Sequence, residues 1–177
     1  MEKKEIKERE SEENSVDLDD EDTQKDKFLT FKIASEDYAV AIRFVTEIIG
    51  ILKITEVPDT PHFVRGVINL RGKIIPVIDV RSRFNLDEKA YGDRTCIIVV
   101  NIHDTSTGLI VDEVSEVTSI PENQISAPPK AGKTKNNQFV EGIGKVGDCV
   151  KIILDTDKLL NIEQAEDLKD LSQVKAA

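Results

Sequence analysis

The chain contains its own echo. The stretch from Phe63-Val-Arg-Gly66 to Ile78-Asp79 returns 76 positions later as Phe139-Val-Glu-Gly142 to Leu154-Asp155. At that single offset Phe63 meets Phe139, Val64 meets Val140, Gly66 meets Gly142 and Asp79 meets Asp155. Apolar positions follow suit, with Leu70 on Val146 and Ile74 on Val150. A second echo precedes it at offset 69, where Ile33 meets Ile102, Val45 meets Val114 and Glu47 meets Glu116. Two segments repeated in the same order describe one unit built twice, with a longer linker in the second copy. Two copies are too few for a solenoid. The pattern predicts a duplicated domain whose halves share an interface able to bind a partner.

Local patterns predict what each unit contains. Phe28-Leu-Thr-Phe-Lys-Ile-Ala34 alternates, with Leu29, Phe31 and Ile33 on one face, as a half-buried strand does. Ser35-Glu-Asp37 turns it into a strand over Tyr38–Ile42. Arg43–Ile49 reads as a short helical turn ended by Gly50, and Ile51–Val57 as a further strand. Thr60-Pro61 resembles a helix cap with proline at the first helical position. Strands over Gly66–Leu70 and Lys73–Val80 meet tightly at Arg71-Gly72, and Pro76 puts the second at a sheet edge or a bulge. The second unit repeats the plan, with strands over Thr95–Ile102 and Thr107–Asp112 and irregular or extended chain over Val114–Ile120. A polar loop over 121–138 then leads into a hairpin ending at Leu154. Asn161–Val174 reads as a helix with a stripe of Ile162, Ala165, Leu168 and Leu171.

Short strands with turns at close intervals predict a mainly β fold of two small five-stranded barrels. The first spans about 27–85 and the second about 94–156, and exchange of strands between them stays open. An acidic arm over 1–26 precedes them and a helical tail over 161–177 follows.

Charge sets the arm apart. The 177 residues carry a net −10, of which residues 1–26 hold 12 acids and 5 bases, a net of −7. With so few apolar groups the arm cannot offset the entropy of ordering, and it reads as disordered. The remaining chain is long enough for a sizeable aliphatic core. No apolar run approaches the length of a membrane span, and the N-terminus is charged from Glu2 onward. A cytoplasmic protein is the expectation, with Cys96 and Cys149 as buried thiols inside strands rather than a disulfide.

Two nucleotide-like motifs fail on context. Gly142-Ile-Gly144-Lys-Val-Gly147 matches a dinucleotide fingerprint, yet strand-forming residues follow it where a helix must open. Ala131-Gly-Lys133-Thr134 resembles the end of a phosphate loop, yet Pro128 and Pro129 lack the amide hydrogens such a loop donates. His62 and His103 lie in no metal-ligand spacing. Asp79 and Asp155, at equivalent strand ends, read as turn caps. No catalytic set, cofactor or metal site is expected.

What remains is a surface. Residues 65–83 carry Arg65, Arg71, Lys73, Arg81 and Arg83 against one acid, Asp79. Arg71 at a hairpin tip is held rigidly, and its planar fork suits carboxylates at interfaces. Glu47 is its candidate partner, either within the protein or across an interface. The other reading of the cluster is a solvated basic edge. Nucleic acid fits poorly, because stacking aromatics are sparse and absent from these loops.

Gly66-Val-Ile-Asn-Leu-Arg71-Gly-Lys-Ile-Ile-Pro76-Val-Ile-Asp79-Val-Arg81 resembles the signature of the CheW family of chemotaxis coupling proteins. Val45-Thr-Glu47-Ile, Phe139-Val-Glu-Gly142 and Ile153-Leu-Asp155 match the same family in order, and the resemblance covers about residues 27–160. It implies two SH3-like β-barrels, no catalysis and a bridging role between the regulatory domain of the kinase CheA and the cytoplasmic tips of chemoreceptors. It also implies recruitment to receptor arrays without insertion into the membrane. Carried over by motif, Val45, Glu47, Gly66, Arg71 and Val117 are the expected partner contacts. The competing classes are an enzyme with a site scattered in sequence and a barrel-fold nucleic-acid binder.

Overall fold

The structure, a computed structural model, describes residues 23–129 and 138–161. Residues 1–22 of the expected 1–26 arm, the Ala131-Gly-Lys-Thr134 stretch and the expected helix beyond Asn161 lie outside the described residues; the last four residues of the arm are not disordered but form a turn whose Asp26 carbonyl accepts the Ile120 amide at 2.8 Å. The first half runs β1 (Lys27–Ile33), β2 (Glu36–Ala41), a 3₁₀ turn (Ile42–Phe44), β3 (Val45–Gly50), β4 (Val64–Leu70), β5 (Lys73–Asp79) and helix α1 (Val80–Arg83). The second runs β6 (Cys96–Ile102), β7 (Thr105–Val111), β8 (Glu113–Ser119), β9 (Ile125–Ser126), β10 (Val140–Val146), β11 (Cys149–Leu154) and α2 (Thr156–Leu160). Offset 69 carries β1, β2 and β3 onto β6, β7 and β8; offset 76 carries β4, β5 and α1 onto β10, β11 and α2. The two echoes in the sequence are therefore two sets of equivalent elements.

One sheet orders its strands β8-β1-β2-β11-β10-β9 and the other β3-β6-β7-β5-β4. Apart from β9, the two orders are the same once the halves are exchanged. Each sheet takes the opening hairpin of one half and flanks it with the third strand and closing hairpin of the other. The seams between halves are parallel pairings, β11 on β2 and β5 on β7. The result is a mainly β fold of two SH3-like barrels with strands from both halves in each sheet.

Several local expectations change. Val45–Gly50 is a strand that alternates half-buried and exposed residues, not a helical turn; only Ile42–Phe44 turns. Ile51–Val57 is not a strand but touches β4 through one bridge, Thr55 to Val67. No helix starts at Thr60-Pro61: the Thr60 hydroxyl donates to the Val57 carbonyl and the chain makes a turn. Pro76 is neither at an edge nor in a bulge, because β5 lies inside its sheet. Val67, directly opposite, spends both its N–H and C=O on Thr55, at 2.9 Å each, so it asks nothing of Pro76. The pairing to β7 begins only at Val77, so the missing amide hydrogen of Pro76 leaves no partner unmet. Neither cysteine is buried: Cys96 is half-buried and Cys149 exposed, both as free thiols.

Three clusters make the core. The largest joins both sheets through Leu29, Phe31, Ile33, Ile98, Val100 and Leu109, with the rings of Phe63, Phe84 and Phe139. Ile68, Ile75, Val77, Ile97, Val99 and Ile110 fill one barrel; Phe28, Ala39, Ile120 and Ile153 fill the other. β1 is thus buried on both faces, and its Thr30 hydroxyl is satisfied by the Glu116 carbonyl at 2.8 Å. Much of the face between the halves is packed hydrocarbon rather than open crevice.

The strand-end aspartates cap helices, as their symmetry predicts. Ser82 N–H donates to Asp79 at 3.4 Å and Lys158 N–H to Asp155 at 3.1 Å. The residue after each cap breaks the symmetry: Val80 in α1 corresponds at offset 76 to Thr156 in α2. Both are buried, and the Thr156 hydroxyl makes no hydrogen bond. A buried hydroxyl without a partner costs about 1–3 kcal/mol. Thr156→Val, which copies the first half, is expected to raise stability by about 1 kcal/mol, read as a higher urea midpoint. A lower midpoint would mean that the hydroxyl is satisfied.

Candidate functional site

The β4–β5 hairpin turns on Arg71 (φ 53°) and Gly72 (φ 87°). Two positive φ values in a two-residue turn match the twist of the flanking strands, the geometry favoured for tight hairpins. The Asn69 side chain accepts the Gly72 amide at 2.8 Å and locks the loop. Arg71 is thereby held at the tip, and its Nη2 reaches Glu47 on β3. β3 and β4 are the two ends of one sheet, so the ion pair spans the seam where that barrel closes. Glu47 is therefore an internal partner of Arg71. The Arg71 side chain is 70% exposed and Glu47 30%, and only Nη2 is engaged, so most guanidinium donors face outward.

Gly66 lies under the same seam. The Thr55–Val67 bridge lays the Thr55 carbonyl over β4, and a Cβ at Gly66 (φ 141°) would stand 2.0 Å from that oxygen. The backbone that needs Gly66 bare is the chain's own. Val45 opens β3 and packs on the core joining the sheets. Val117, 52% exposed, sits on β8, the edge strand of the other sheet. The structure thus brings Glu47, Gly66 and Arg71 together on one seam, puts Val45 on the strand of Glu47, and leaves Val117 on the second barrel.

The duplication shows what sequence reasoning missed. Offset 69 pairs Val117 with Ile48, and offset 76 pairs Ile74 with Val150; all four are exposed apolar residues. Val117 is already an expected contact; Ile48, Ile74 and Val150 escape the sequence reading because exposure is not written in the sequence. The offsets also show that the ion pair is unique to one half: Glu116 matches Glu47, but Gly147 stands where Arg71 does.

The basic cluster is no free patch. Arg65 pairs with Asp79 at 3.4 Å and Glu88 at 2.9 Å, Arg81 with Asp112 at 2.7 Å, and Lys73 donates to the Ser106 hydroxyl at 3.1 Å. Arg83 is buried. Burial alone would raise the Asp112 carboxyl, but the Arg81 guanidinium and the Ala34 amide outweigh it and hold it below the ordinary carboxylate value.

Beside Arg65 a cleft of about 380 Å³ opens between Ile54, Glu56 and the linker residues Glu88 and Tyr91. The Tyr91 hydroxyl donates to Asp79 at 3.0 Å; burial first, then that carboxylate, pushes it up to about 12. It stays protonated at neutral pH and offers no base. His62 Nε2 lies 3.1 Å from the Ser82 carbonyl, and His103 lies 3.6 Å from Asp157. Gly142–Gly147 runs along β10 into the β10–β11 hairpin turn, so the dinucleotide fingerprint opens no helix.

Fold and seam together define a class, a non-contiguous pair of SH3-like barrels built by duplication. The family model described as CheW-like domain matches residues 27–164. The chemotaxis protein CheW of Klebsiella aerogenes is 36% identical over 143 residues, covering 81% of this chain and 86% of that protein. The chemotaxis protein CheW of Bacillus subtilis is 33% identical, covering 80% and 90%. The crystal structure of the scaffolding protein TtCheW from Thermoanaerobacter tengcongensis superposes with a TM-score of 0.72 at 42% identity, covering 77% of this chain and 93% of that one. The chain belongs to the CheW-like family.

Proposed function

We propose that this protein is a non-enzymatic adaptor that couples chemoreceptor tips to the regulatory domain of the histidine kinase CheA. Family membership supports the coupling role. The observation that carries the site is the Arg71–Glu47 pair, which presents an exposed, rigidly mounted guanidinium on the seam of one barrel. Such a fork can donate to a partner's carboxylates or carbonyls without giving up Glu47. Val45, Glu47 and Arg71 contribute partner contacts on one barrel and Val117 on the other. Gly66 acts through the Thr55 segment that it lets close. Receptor helices dock against these residues, and the kinase docks on another face. The protein works in the cytoplasm and joins receptor arrays through its partners. No helix of the described residues is long and apolar enough to cross a membrane.

No observation favours the competing classes. Of the bases a nucleic-acid patch would need, Arg65, Arg81 and Lys73 are engaged by acids or a hydroxyl and Arg83 is buried, which leaves the exposed Arg71 without basic neighbours to make a patch. Arg71→Glu is the test. The fold should hold, because an exposed ion pair contributes only about 0–1 kcal/mol. Binding to a receptor-tip fragment should weaken by roughly 2 kcal/mol or more, the cost of losing one charge at a desolvated contact, measured by calorimetry. Undiminished binding to both the receptor tip and the CheA regulatory domain would remove Arg71 from any interface.

A further inference from the structure

The two crossings between sheets are built differently. β2 passes to β3 through the Ile42–Phe44 turn, whereas β7 passes to β8 through the single residue Asp112. That residue is gripped from both sheets. From the sheet of β5, Arg81 donates Nε to Oδ1 at 2.8 Å and Nη2 to Oδ2 at 2.7 Å. From the sheet of β1, the Ala34 amide donates to Oδ2 at 2.8 Å, and the Asp112 amide donates to the Lys32 carbonyl at 3.1 Å. Arg81 and Asp112 are 14% and 17% exposed, so solvent screens the pair little.

The other crossing has no such grip. The offsets put Arg43 where Asp112 stands and Asp157 where Arg81 stands, the same charges reversed. Arg43 instead lies over the Phe44 ring, and Asp157 faces His103. The hydrocarbon core between the sheets attracts without direction. A bidentate guanidinium–carboxylate fork is directional and short. We propose that the Arg81–Asp112 clamp sets the angle between the barrels, and with it the spacing of the Arg71–Glu47 seam from Val117, which makes both residues positioning residues for partner docking. This rests on the adaptor reading, because it assumes that a partner engages both barrels at once.

The experiment uses the full chain. Arg81→Lys keeps the charge and loses the fork; Asp112→Asn keeps an acceptor for Ala34 and loses the charge. Residual dipolar couplings of backbone amides measure the angle between the sheets, and calorimetry measures receptor-tip binding. The clamp predicts that each variant rotates one sheet relative to the other and binds about tenfold more weakly, the scale of one lost docking contact. A purely structural role would lower stability and leave angle and affinity alone, and that result overturns the proposal. If Arg71→Glu abolishes binding while Arg81→Lys changes neither readout, the clamp fails and the adaptor reading stands. If the unmodified protein binds neither the receptor-tip fragment nor the CheA regulatory domain, the adaptor reading itself fails. Should the variants not fold, hydrogen exchange on the unmodified protein decides. An Ala34 amide as protected as the core strands supports the clamp, and rapid exchange of that amide overturns it.

Discussion

Gly66→Ala is expected to lower stability by roughly 3 kcal/mol or more, a large share of the about 5–15 kcal/mol that holds a typical domain folded. Two costs coincide at this position. The backbone holds φ at 141°, a region that residues with a side chain rarely enter. The added Cβ would also stand 2.0 Å from the Thr55 oxygen and 2.7 Å from its carbonyl carbon. Both are backbone atoms, fixed by two 2.9 Å hydrogen bonds to Val67, so neither yields as a side chain could. The chain can relieve the clash only by opening the Thr55–Val67 bridge, and that bridge closes the barrel beneath Arg71 and Glu47.

The duplicated half supplies the control. At Gly142 a Cβ would meet the Ile125 side chain at 2.7 Å and the Ser126 oxygen at 3.2 Å. A side-chain methyl can turn aside, so Gly142→Ala should cost about 1 kcal/mol. Gly50, with open space around it, should tolerate alanine with little change. Urea denaturation of the three variants gives the ranking. If Gly66→Ala proves no worse than Gly142→Ala, the seam is looser than its geometry states.

The fold was legible over much of the repeat, though not at β3, which lies inside it. Offsets 69 and 76 place equivalent strands, the Asp79 and Asp155 caps and the Arg71-Gly72 turn from the sequence alone. The strand-forming residues after Gly147 mark the dinucleotide fingerprint as a hairpin. Strand exchange was not legible, because period and propensity describe a strand's faces and not its neighbour. Nothing in Val77-Ile-Asp79 says that it will lie parallel to Gly108-Leu-Ile110. β3 was misread because a glycine after a short apolar run fits a helix stop as well as a strand end, and only pairing with β6 decided between them. The basic cluster misled for a related reason. Asp112, the acid that neutralises Arg81, lies 31 positions away in sequence, so a window along the chain counts the base and not its partner, whereas Glu47, 24 positions from Arg71, is already its candidate partner in the sequence.

Arg83→Ala is the second large effect, expected to cost roughly 3 kcal/mol through a cavity and orphaned carbonyls. Arg83 ends α1 of the first half and is 8% exposed. Its Nε donates to the Leu159 carbonyl at 3.1 Å and its Nη2 to the Asn161 carbonyl at 3.2 Å, at the close of α2 in the second half. Helix ends leave carbonyls without internal partners, and here a guanidinium from the other half supplies the donors. Its guanidinium carbon Cζ stands 4.1 Å from the Phe63 ring centre and 4.5 Å from that of Phe139, the pair that offset 76 makes equivalent. Leu159 is the offset equivalent of Arg83 itself, so the two mates meet where the halves join. Burial lowers the guanidinium pKa, yet arginine begins so high that it keeps its proton. Arg83→Leu isolates the polar part, since it fills the space and makes the two halves alike. It should still lose about 1–3 kcal/mol, because the buried Leu159 carbonyl loses its donor. A leucine variant as stable as the original would mean that water reaches those carbonyls and that the guanidinium does not tie the halves together.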